Sequence, residues 1–234
     1  MESFYYVDIF ETKGIEYLLV IGYLIVLIFF WHVLSKPEPS LQRAEIFRQI
    51  RGALSQWFSL PEGYYYHQGH AWALPVENNL VKVGIDDFTQ KFLGKTDKIH
   101  LPAVGEKVKQ GEKGWQLNFE NKNVDILSPV SGKVVEINND IINRPELLNL
   151  GPYTDGWLMK VKTDRPKSVF KNLLTGKLAL SWGENTIDML QEKMSSTNEL
   201  GLVMQDGGLP VLGFAKIISP DKWDVLAKEF LMTE

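Results

Sequence analysis

Residues 115–132, WQLNFENKNVDILSPVSG, decide the fold of this chain. The first five alternate apolar with polar side chains, and a period of two indicates a β-strand with one buried face. The segment Asn118–Asp125 then fits a hairpin, and the Ser-Pro-Val-Ser-Gly run at Ser128–Gly132 is a turn that leads into a return strand over Lys133–Ile137. The stretch therefore predicts an antiparallel β-unit that presents a hairpin.

Strand-like segments precede this hairpin from Gly63 onward, as short apolar alternations such as Leu80–Ile85 separated by Gly, Pro and Asn. One short helix interrupts them, because Asp87 and Gln90 have the spacing of a capping box and Gly94 is a suitable C-terminal stop. The region is therefore predicted to be mainly β with one helical insertion.

The N-terminal segment Ile15–Leu34 is almost uninterrupted apolar sequence. Its roughly 20 residues span about 30 Å as a helix, which matches the core of a bilayer. A cleaved signal peptide is the rival interpretation, but the preceding segment is acidic and no small-x-small cleavage site follows the apolar run. We therefore expect an uncleaved, single-pass transmembrane helix.

The flanking charges predict the orientation of that helix. Four basic residues follow it and only Lys13 precedes it; those that follow are Lys36, Arg43, Arg48 and Arg51. Because basic residues are enriched on the cytoplasmic side, the N-terminus is predicted to lie outside an inner or cell membrane and the bulk of the chain to face the cytoplasm.

A second, amphipathic helix is predicted from Ser40 to about Phe58, because apolar residues recur there at helical spacing with arginines beside them. Two placements stay open. The helix can lie on an anionic membrane surface, or it can dock on the following domain or on another subunit.

The composition changes again beyond Lys162. The pattern predicts a helix near Ile187–Met194, then two hairpin-like strands over Leu200–Met204 and Val211–Ile218. Ser219-Pro220-Asp221 then has the residue types that begin a helix, which would run to about Leu231.

Composition excludes several classes of function. With 25 basic and 29 acidic residues, the net charge of −4 gives no electrostatic case for nucleic-acid binding. The absence of cysteine excludes thiol nucleophiles, disulfides and iron–sulfur ligation. His67, His70 and His100 lack the helical frame of a typical zinc site, so structural roles are favoured over metal binding. No nucleophile–base grouping is visible, so we expect no catalytic residues and no metal site.

The central region resembles the glycine cleavage system H protein over about Tyr64 to Lys162. The resemblance depends on many short pieces in the same order. They are His67–Trp72, Val83–Gln90, Leu93-Gly94, Leu101–Gly105, Gly111-Glu112, Ser128–Gly132, Asn138, Pro145–Asn149, Pro152-Tyr153 and Gly156–Lys160. It implies a barrel-sandwich hybrid of the biotinyl/lipoyl type, in which a hairpin tip presents a lysine for attachment of lipoate.

The lysine is displaced by one residue in this chain. In the family it lies four residues before the acidic residue that corresponds to Asp125, and that position here is Asn121. Lys122 stands where the family usually has a small residue, and Asn118 replaces the usual acidic residue. Lipoylation requires a primary amine, so the resemblance leaves lipoate on Lys122 as the less favoured alternative and an unmodified hairpin as the favoured one.

These features predict a mainly β fold, a barrel-sandwich hybrid of the lipoyl and H-protein type with an N-terminal transmembrane helix and an α+β C-terminal extension. The predicted segments are 1–14 outside the cytoplasm, 15–35 in the membrane, 36–62 as the juxtamembrane helix and linker, 63–165 as the H-protein-like domain, and 166–234 as the extension. The extension offers extra surface for a fixed contact.

We expect a non-catalytic structural or assembly subunit of a larger membrane complex, with the membrane and other protein subunits as partners. A respiratory or redox complex is suggested only by the association of lipoyl-type domains with redox chemistry. The alternative is a membrane-tethered lipoyl carrier with the arm on Lys122, which hands acyl or aminomethyl groups or reducing equivalents to an enzyme. A soluble-enzyme scaffold recruited by the Ser40–Phe58 helix is the third possibility.

Overall fold

A computed structural model describes residues 9–34, 39–77, 79–120, 122–195 and 211–233 of the chain. The chain forms two compact units, Met1–Arg48 and Gln49–Glu234. The N-terminal unit contains helix α1 (Ile9–Leu34), whose Gly14–Leu34 portion has a mean hydropathy of 2.4 and no buried residues. In the described ranges, α1 is the one helix that is long and apolar enough to cross a bilayer.

The bounds of helix α2 (Pro39–Trp57) nearly match those of the predicted amphipathic helix. Its second half belongs to the Gln49–Glu234 unit, which we call the folded unit. Ile50 and Leu54 are buried in the main hydrophobic core. Arg51 donates from Nε to Oδ1 of Asp188 at 2.6 Å, and this hydrogen bond raises the pKa of the guanidinium. Of the two placements that the sequence left open, docking on the domain is therefore the one observed for this half of α2.

The folded unit is built on two antiparallel sheets, and the larger one curls into a half-barrel. The larger sheet has the order β1-β2-β3-β9-β8-β5, and the smaller has the order β4-β6-β7. The strands are β1 (Tyr65–His67), β2 (Ala71–Pro75), β3 (Leu80–Ile85), β4 (Lys98–His100), β5 (Lys107–Val108), β6 (Lys113–Phe119), β7 (Lys122–Leu127), β8 (Gly132–Ile137) and β9 (Met159–Lys162).

The alternation over residues 115–119 lies in β6, and β7 also buries alternate side chains. Leu117 and Phe119 on β6, and Val124 and Ile126 on β7, are at most 1% exposed and point into the core. The two strands pair in register from Leu117 opposite Val124 to Phe119 opposite Lys122. Burial of alternate side chains on both strands fixes this register, since a one-residue slip would turn the apolar set outward.

The helical insertion is α3 (Asp87–Leu93), and it begins one residue away from the predicted cap. The carboxylate of Asp86 accepts the first-turn amide of Thr89 at 2.8 Å, so Asp86 is the N-cap. Asp87 instead accepts a hydrogen bond from the side chain of Gln90. Gly94 ends the helix with a φ of 82°, as predicted for a C-terminal glycine.

Within residues 139–195 and 211–233 of the described chain there are six further short or medium helices. They are α4 (Asn139–Asn143), α5 (Leu147–Leu150), α6 (Pro166–Phe170), α7 (Gly176–Ser195), α8 (Phe214–Ile218) and α9 (Trp223–Leu231). The helix predicted near Ile187–Met194 is thus part of the longer α7. The predicted strand Leu200–Met204 lies outside the described residues.

The predicted strand over Val211–Ile218 is wrong, because Phe214–Ile218 is the helix α8. Phe214, Ala215 and Ile218 share one buried helical face. The chain enters α8 through Gly213, whose φ is 77°, where it approaches Gly94 so closely that a Cβ on Gly94 would lie 2.8 Å from the Cα of Gly213.

The predicted start of the final helix is also wrong. Ser219 closes α8, since its amide donates to the carbonyl of Ala215 at 3.0 Å. Helix α9 begins at Trp223, with Lys222 as a cap that makes no side-chain hydrogen bond. The helix buries Trp223, Leu226, Ala227, Phe230 and Leu231, so packing and not capping determines where it begins.

Candidate functional site at the hairpin tip

At the hairpin tip, Phe119 at the end of β6 pairs with Lys122 at the start of β7. Glu120 has a φ of 48°, a left-handed conformation that costs a residue with a Cβ on the order of 1 kcal/mol. Its amide donates to the carboxylate of Asp97 at 2.6 Å, which holds the turn in this conformation. Asn121 lies outside the described residues.

Lys122 is held by the C-terminal part of the chain. Its Nζ donates to Oδ1 of Asp224 at 2.5 Å and to the carbonyl of Asp221 at 2.9 Å. The same ammonium lies 5.5 Å from the ring centroid of Trp223, within the range of a cation–π interaction. The side chain of Lys122 is 33% exposed, so it does not project freely from the hairpin.

The neighbouring residues of the tip meet the same helices. The ring of Phe119, itself 1% exposed, lies edge-on against Trp223 with the centroids 5.5 Å apart. Lys216 of α8 lies 5.3 Å from the Trp223 ring and 3.4 Å from a carboxylate oxygen of Glu120. Lys216, Asp221, Trp223 and Asp224 therefore form one contact surface around the tip, which we name the C-terminal clamp.

The clamp also covers a sheet edge. Strand β7 is at the edge of the three-stranded sheet, and α9 packs along it. An uncovered edge strand is a site for pairing with other chains. The C-terminal helices therefore both bind the side chains of the tip and cover the strand that carries Lys122.

This geometry does not favour attachment of an acyl arm to Lys122. Amide formation requires an amine with open access, whereas this amine donates hydrogen bonds to Asp224 and Asp221. The arm would also replace the hydrogen bonds to Asp224 and Asp221. In this structure the amine of Lys122 is therefore engaged by the C-terminal part of the chain.

Sequence reasoning did not identify the clamp. It singled out Asn118, Asn121 and Lys122, but the residues that hold Lys122 are 99 and 102 positions further along the chain. The one local signal was Asp224 in the first turn of a helix, where a carboxylate is favoured by the helix dipole regardless of any partner. Asn118 lies opposite Asn123 in the hairpin, and their side-chain amides form a hydrogen bond.

The Lys122–Asp224 pair predicts a titration that can be measured. The hydrogen bond from Lys122 lowers the pKa of Asp224 below its ordinary value of 3.8. We expect the carboxyl carbon of Asp224 to titrate below pH 3.8 by NMR, and Lys122→Met to move the midpoint upward. An unchanged midpoint in that variant would contradict the pairing.

The lowered pKa of Asp224 also predicts how the stability of the fold changes with pH. Because the pKa is lowered on folding, the pair stabilises the fold above the unfolded-state pKa, and this stabilisation is lost as the pH falls through the folded-state pKa. About a third of each side chain is exposed, so the contribution is within about 1 kcal/mol.

The histidines suggested as a metal set have other roles. Nδ1 of His67 accepts the amide of Gly69, and burial lowers the pKa of this imidazole. His70 is 3% exposed and its Nδ1 lies 2.6 Å from Oδ2 of Asp86, while its ring stacks on Phe88. His100 lies on β4 in the other sheet. Across the described ranges, no group of three or more His, Asp or Glu side chains is arranged to hold a metal ion.

Residues 64–182 match the family model described as glycine cleavage H-protein. Over 101 residues the chain is 44% identical to the glycine cleavage system H protein of Coprothermobacter proteolyticus, a match that covers 43% of this chain and 80% of the relative. It is 36% identical over 117 residues to the probable H protein of Pyrococcus abyssi, covering 50% and 87%.

Among solved structures, the glycine cleavage system H protein of Mycobacterium marinum is 28% identical, with a TM-score of 0.47, and the match covers 54% of this chain and 98% of that structure. The family match contains both sheets and reaches into α7. Helices α1, α2, α8 and α9 lie outside it.

Proposed function

This chain belongs to the glycine cleavage H-protein family, and we propose that it is a non-catalytic, membrane-anchored member that serves as a structural or assembly subunit of a larger membrane complex and carries no lipoate. The observation that carries the proposal is the C-terminal clamp, because it binds the amine of Lys122 and covers the hairpin tip. In the family resemblance, the arm is presented at that tip.

The residue types at the tip support the same proposal. We place Asn121 at the family's lysine position, and a carboxamide cannot form the amide that attaches lipoate. Lys122 is the adjacent amine, and its hydrogen bonds to Asp224 and Asp221 join it to a segment outside the family match. A tip held this way suits a fixed contact and not a swinging arm.

The apolar helix supports residence at a membrane. No residue of Gly14–Leu34 is buried, and the segment has the length and hydropathy of a membrane span. The basic residues that follow it favour a cytoplasmic position for the folded unit. Protease added to inside-out vesicles is therefore expected to digest the folded unit, and its protection would contradict this orientation.

Intact-protein mass spectrometry tests the state of Lys122. We expect the full chain, expressed in cells supplied with lipoate, to have its unmodified mass, because the clamp sequesters the amine. A lipoyl domain that the same cells modify serves as the control for an active ligase. A lipoyl increment on Lys122 would instead establish the tethered-carrier alternative.

Recovery of partners tests the role as a subunit. We expect affinity purification of the full chain in mild detergent to yield other membrane subunits in fixed stoichiometry. The Asp224→Asn variant, which weakens the clamp, should retain those partners if they bind elsewhere on the folded unit. A chain that purifies alone and monomeric would contradict the proposal.

A further inference from the structure

The surface far from the hairpin tip contains an open cavity of about 1010 Å³ that is lined by an excess of basic side chains. Lys113 and Leu127 pair at the open end of the hairpin, opposite the turn, and Lys113 lines this cavity. Six cationic side chains and two carboxylates contribute to the lining, whereas the whole chain has a net charge of −4. We name this cavity the basic groove.

Three of the lysines form a row across adjacent strands. Lys107 on β5 is directly opposite Lys133 on β8, and Lys133 is directly opposite Lys162 on β9. Directly opposed residues of antiparallel strands project on the same face with Cα atoms about 4.5–5.5 Å apart. This lysine row therefore places three like charges next to one another, an arrangement that is unfavourable without a counter-charge.

The row has no counter-charge of its own in the described part of the chain. Lys109 pairs with Glu112 and Lys113 pairs with Asp125, but no carboxylate lies within 4.0 Å of the lysine row or of Arg165. All four of these cationic side chains are exposed. An anion in the groove would relieve their mutual repulsion and accept several charge-assisted hydrogen bonds.

The wall beside the row is held in place by hydrogen bonds. Gln110 donates from its side chain to the carbonyls of Pro129 and Val169, and its amide donates to the hydroxyl of Ser131. On the neighbouring strands, a Cβ at Gly132 would lie 2.3 Å from the carbonyl oxygen of Lys162, so β8 and β9 approach closely there. The charges are thus displayed on a backbone that needs little reorganisation to bind.

The groove indicates the chemical class of its ligand. Arg165 offers the planar fork that binds phosphate oxygens in pairs, and lysines bind phosphate as point charges. The volume suits a small molecule. Among the residues that the structure describes, no aromatic side chain lines the groove, and its apolar wall consists of Val108 and Val169. A nucleobase would find no stacking surface there.

From this geometry we propose that the basic groove binds a compact phosphate-bearing anion without an aromatic ring, through the lysine row and Arg165. A phosphorylated lipid headgroup and a soluble polyphosphate share this chemistry. The basic groove is separate from the hairpin tip, so a failure of this proposal would leave the proposed function untouched, and the reverse also holds.

Calorimetry tests this proposal. It measures the binding of inorganic tripolyphosphate to the full chain in a neutral detergent at low ionic strength. We expect saturable binding that weakens at higher salt. The double variant Lys133→Gln with Lys162→Gln should weaken binding at least about tenfold. The control, Lys95→Gln with Lys98→Gln, removes two exposed charges outside the groove and should leave binding unchanged. Absence of binding, or equal weakening in both double variants, would overturn the site.

A melting experiment confirms that the double variant is folded and tests the repulsion. Without anion, the Lys133→Gln, Lys162→Gln chain should melt about 1–3 °C above the native chain, because the row no longer repels itself. Tripolyphosphate should raise the melting temperature of the native chain and of the Lys95, Lys98 control, but not that of the double variant. A lower melting temperature in the variant would contradict an uncompensated row.

Two further probes identify the ligand. ATP should bind no more tightly than tripolyphosphate, and markedly tighter ATP binding would overturn the exclusion of an aromatic ring. Mixed micelles with a phosphorylated inositol lipid should raise the melting temperature if the source is a lipid headgroup. Stabilisation by the lipid as well as by tripolyphosphate supports a lipid headgroup as the source, and stabilisation by tripolyphosphate alone supports a soluble anion. Failure of tripolyphosphate to stabilise the native chain overturns the proposal.

Discussion

Replacing Phe119 with alanine is expected to lower the free energy of unfolding by about 3–5 kcal/mol, as for other large buried aromatic side chains. Phe119 is 1% exposed at the last position of β6. Its ring contacts Trp223 edge-on, so the substitution removes both core volume and the surface on which the C-terminal clamp packs. Urea unfolding followed by tryptophan fluorescence measures the loss.

The same variant should release Lys122. Trp223 loses its packing partner, so α9 should separate from β7 more often and expose the amine to solvent. We expect Lys122 to react faster with a lysine-acylating reagent, measured by peptide mass spectrometry, than in the native chain. Leu178→Ala removes an exposed apolar side chain on α7 and serves as the control for both measurements. Native-like stability with unchanged Lys122 reactivity would contradict the clamp.

Replacing Asp86 with alanine should lower the free energy of unfolding by a similar amount, about 3–5 kcal/mol. The substitution removes both the buried contact with His70 and the N-cap of α3. The carboxylate is fully buried and accepts hydrogen bonds from Nδ1 of His70 and from the amide and hydroxyl of Thr89. The substitution leaves the Nδ1–H of His70 without an acceptor at a position that is 3% exposed. Urea unfolding again gives the size of the effect.

Two variants define what Asp86 contributes. Asp86→Asn retains an oxygen that can cap α3, so we expect its free energy of unfolding to fall less than that of the alanine variant. Asp155→Ala removes an exposed carboxylate and should be within about 0.5 kcal/mol of the native chain. A loss below about 1 kcal/mol for Asp86→Ala would mean that neither the His70 contact nor the cap stabilises the fold.

Local pattern was sufficient for much of the architecture. The apolar run that forms α1, the alternation that forms β3 and β6, and the ordered motifs of the family match are all properties of short windows. A helix or strand with one consistent apolar period has few alternatives, so these elements could be predicted without tertiary information.

A short apolar segment whose pattern fits both a helix and a strand could not be assigned from the sequence. Val211–Ile218 alternates well enough for a strand, yet its second part forms α8 because Phe214, Ala215 and Ile218 all find burial on one helical face. The cap of α3 was misplaced for a related reason. Asp86 and Asp87 are adjacent and equally suited to capping, and the choice depends on which carboxylate reaches Thr89 and which reaches Gln90.

The proposed function and the proposed anion site depend on contacts between residues that are far apart in the sequence. By itself, the sequence determined the family of the β-unit, the apolar helix, and the position of Lys122 one residue after Asn121. Only the tertiary structure decided that Lys122 meets Asp224, and that Lys107, Lys133 and Lys162 form one row. Local periodicity records which face of an element is buried. It carries no information about which distant charge lies opposite, because that depends on strand register and on the packing of segments about a hundred residues apart.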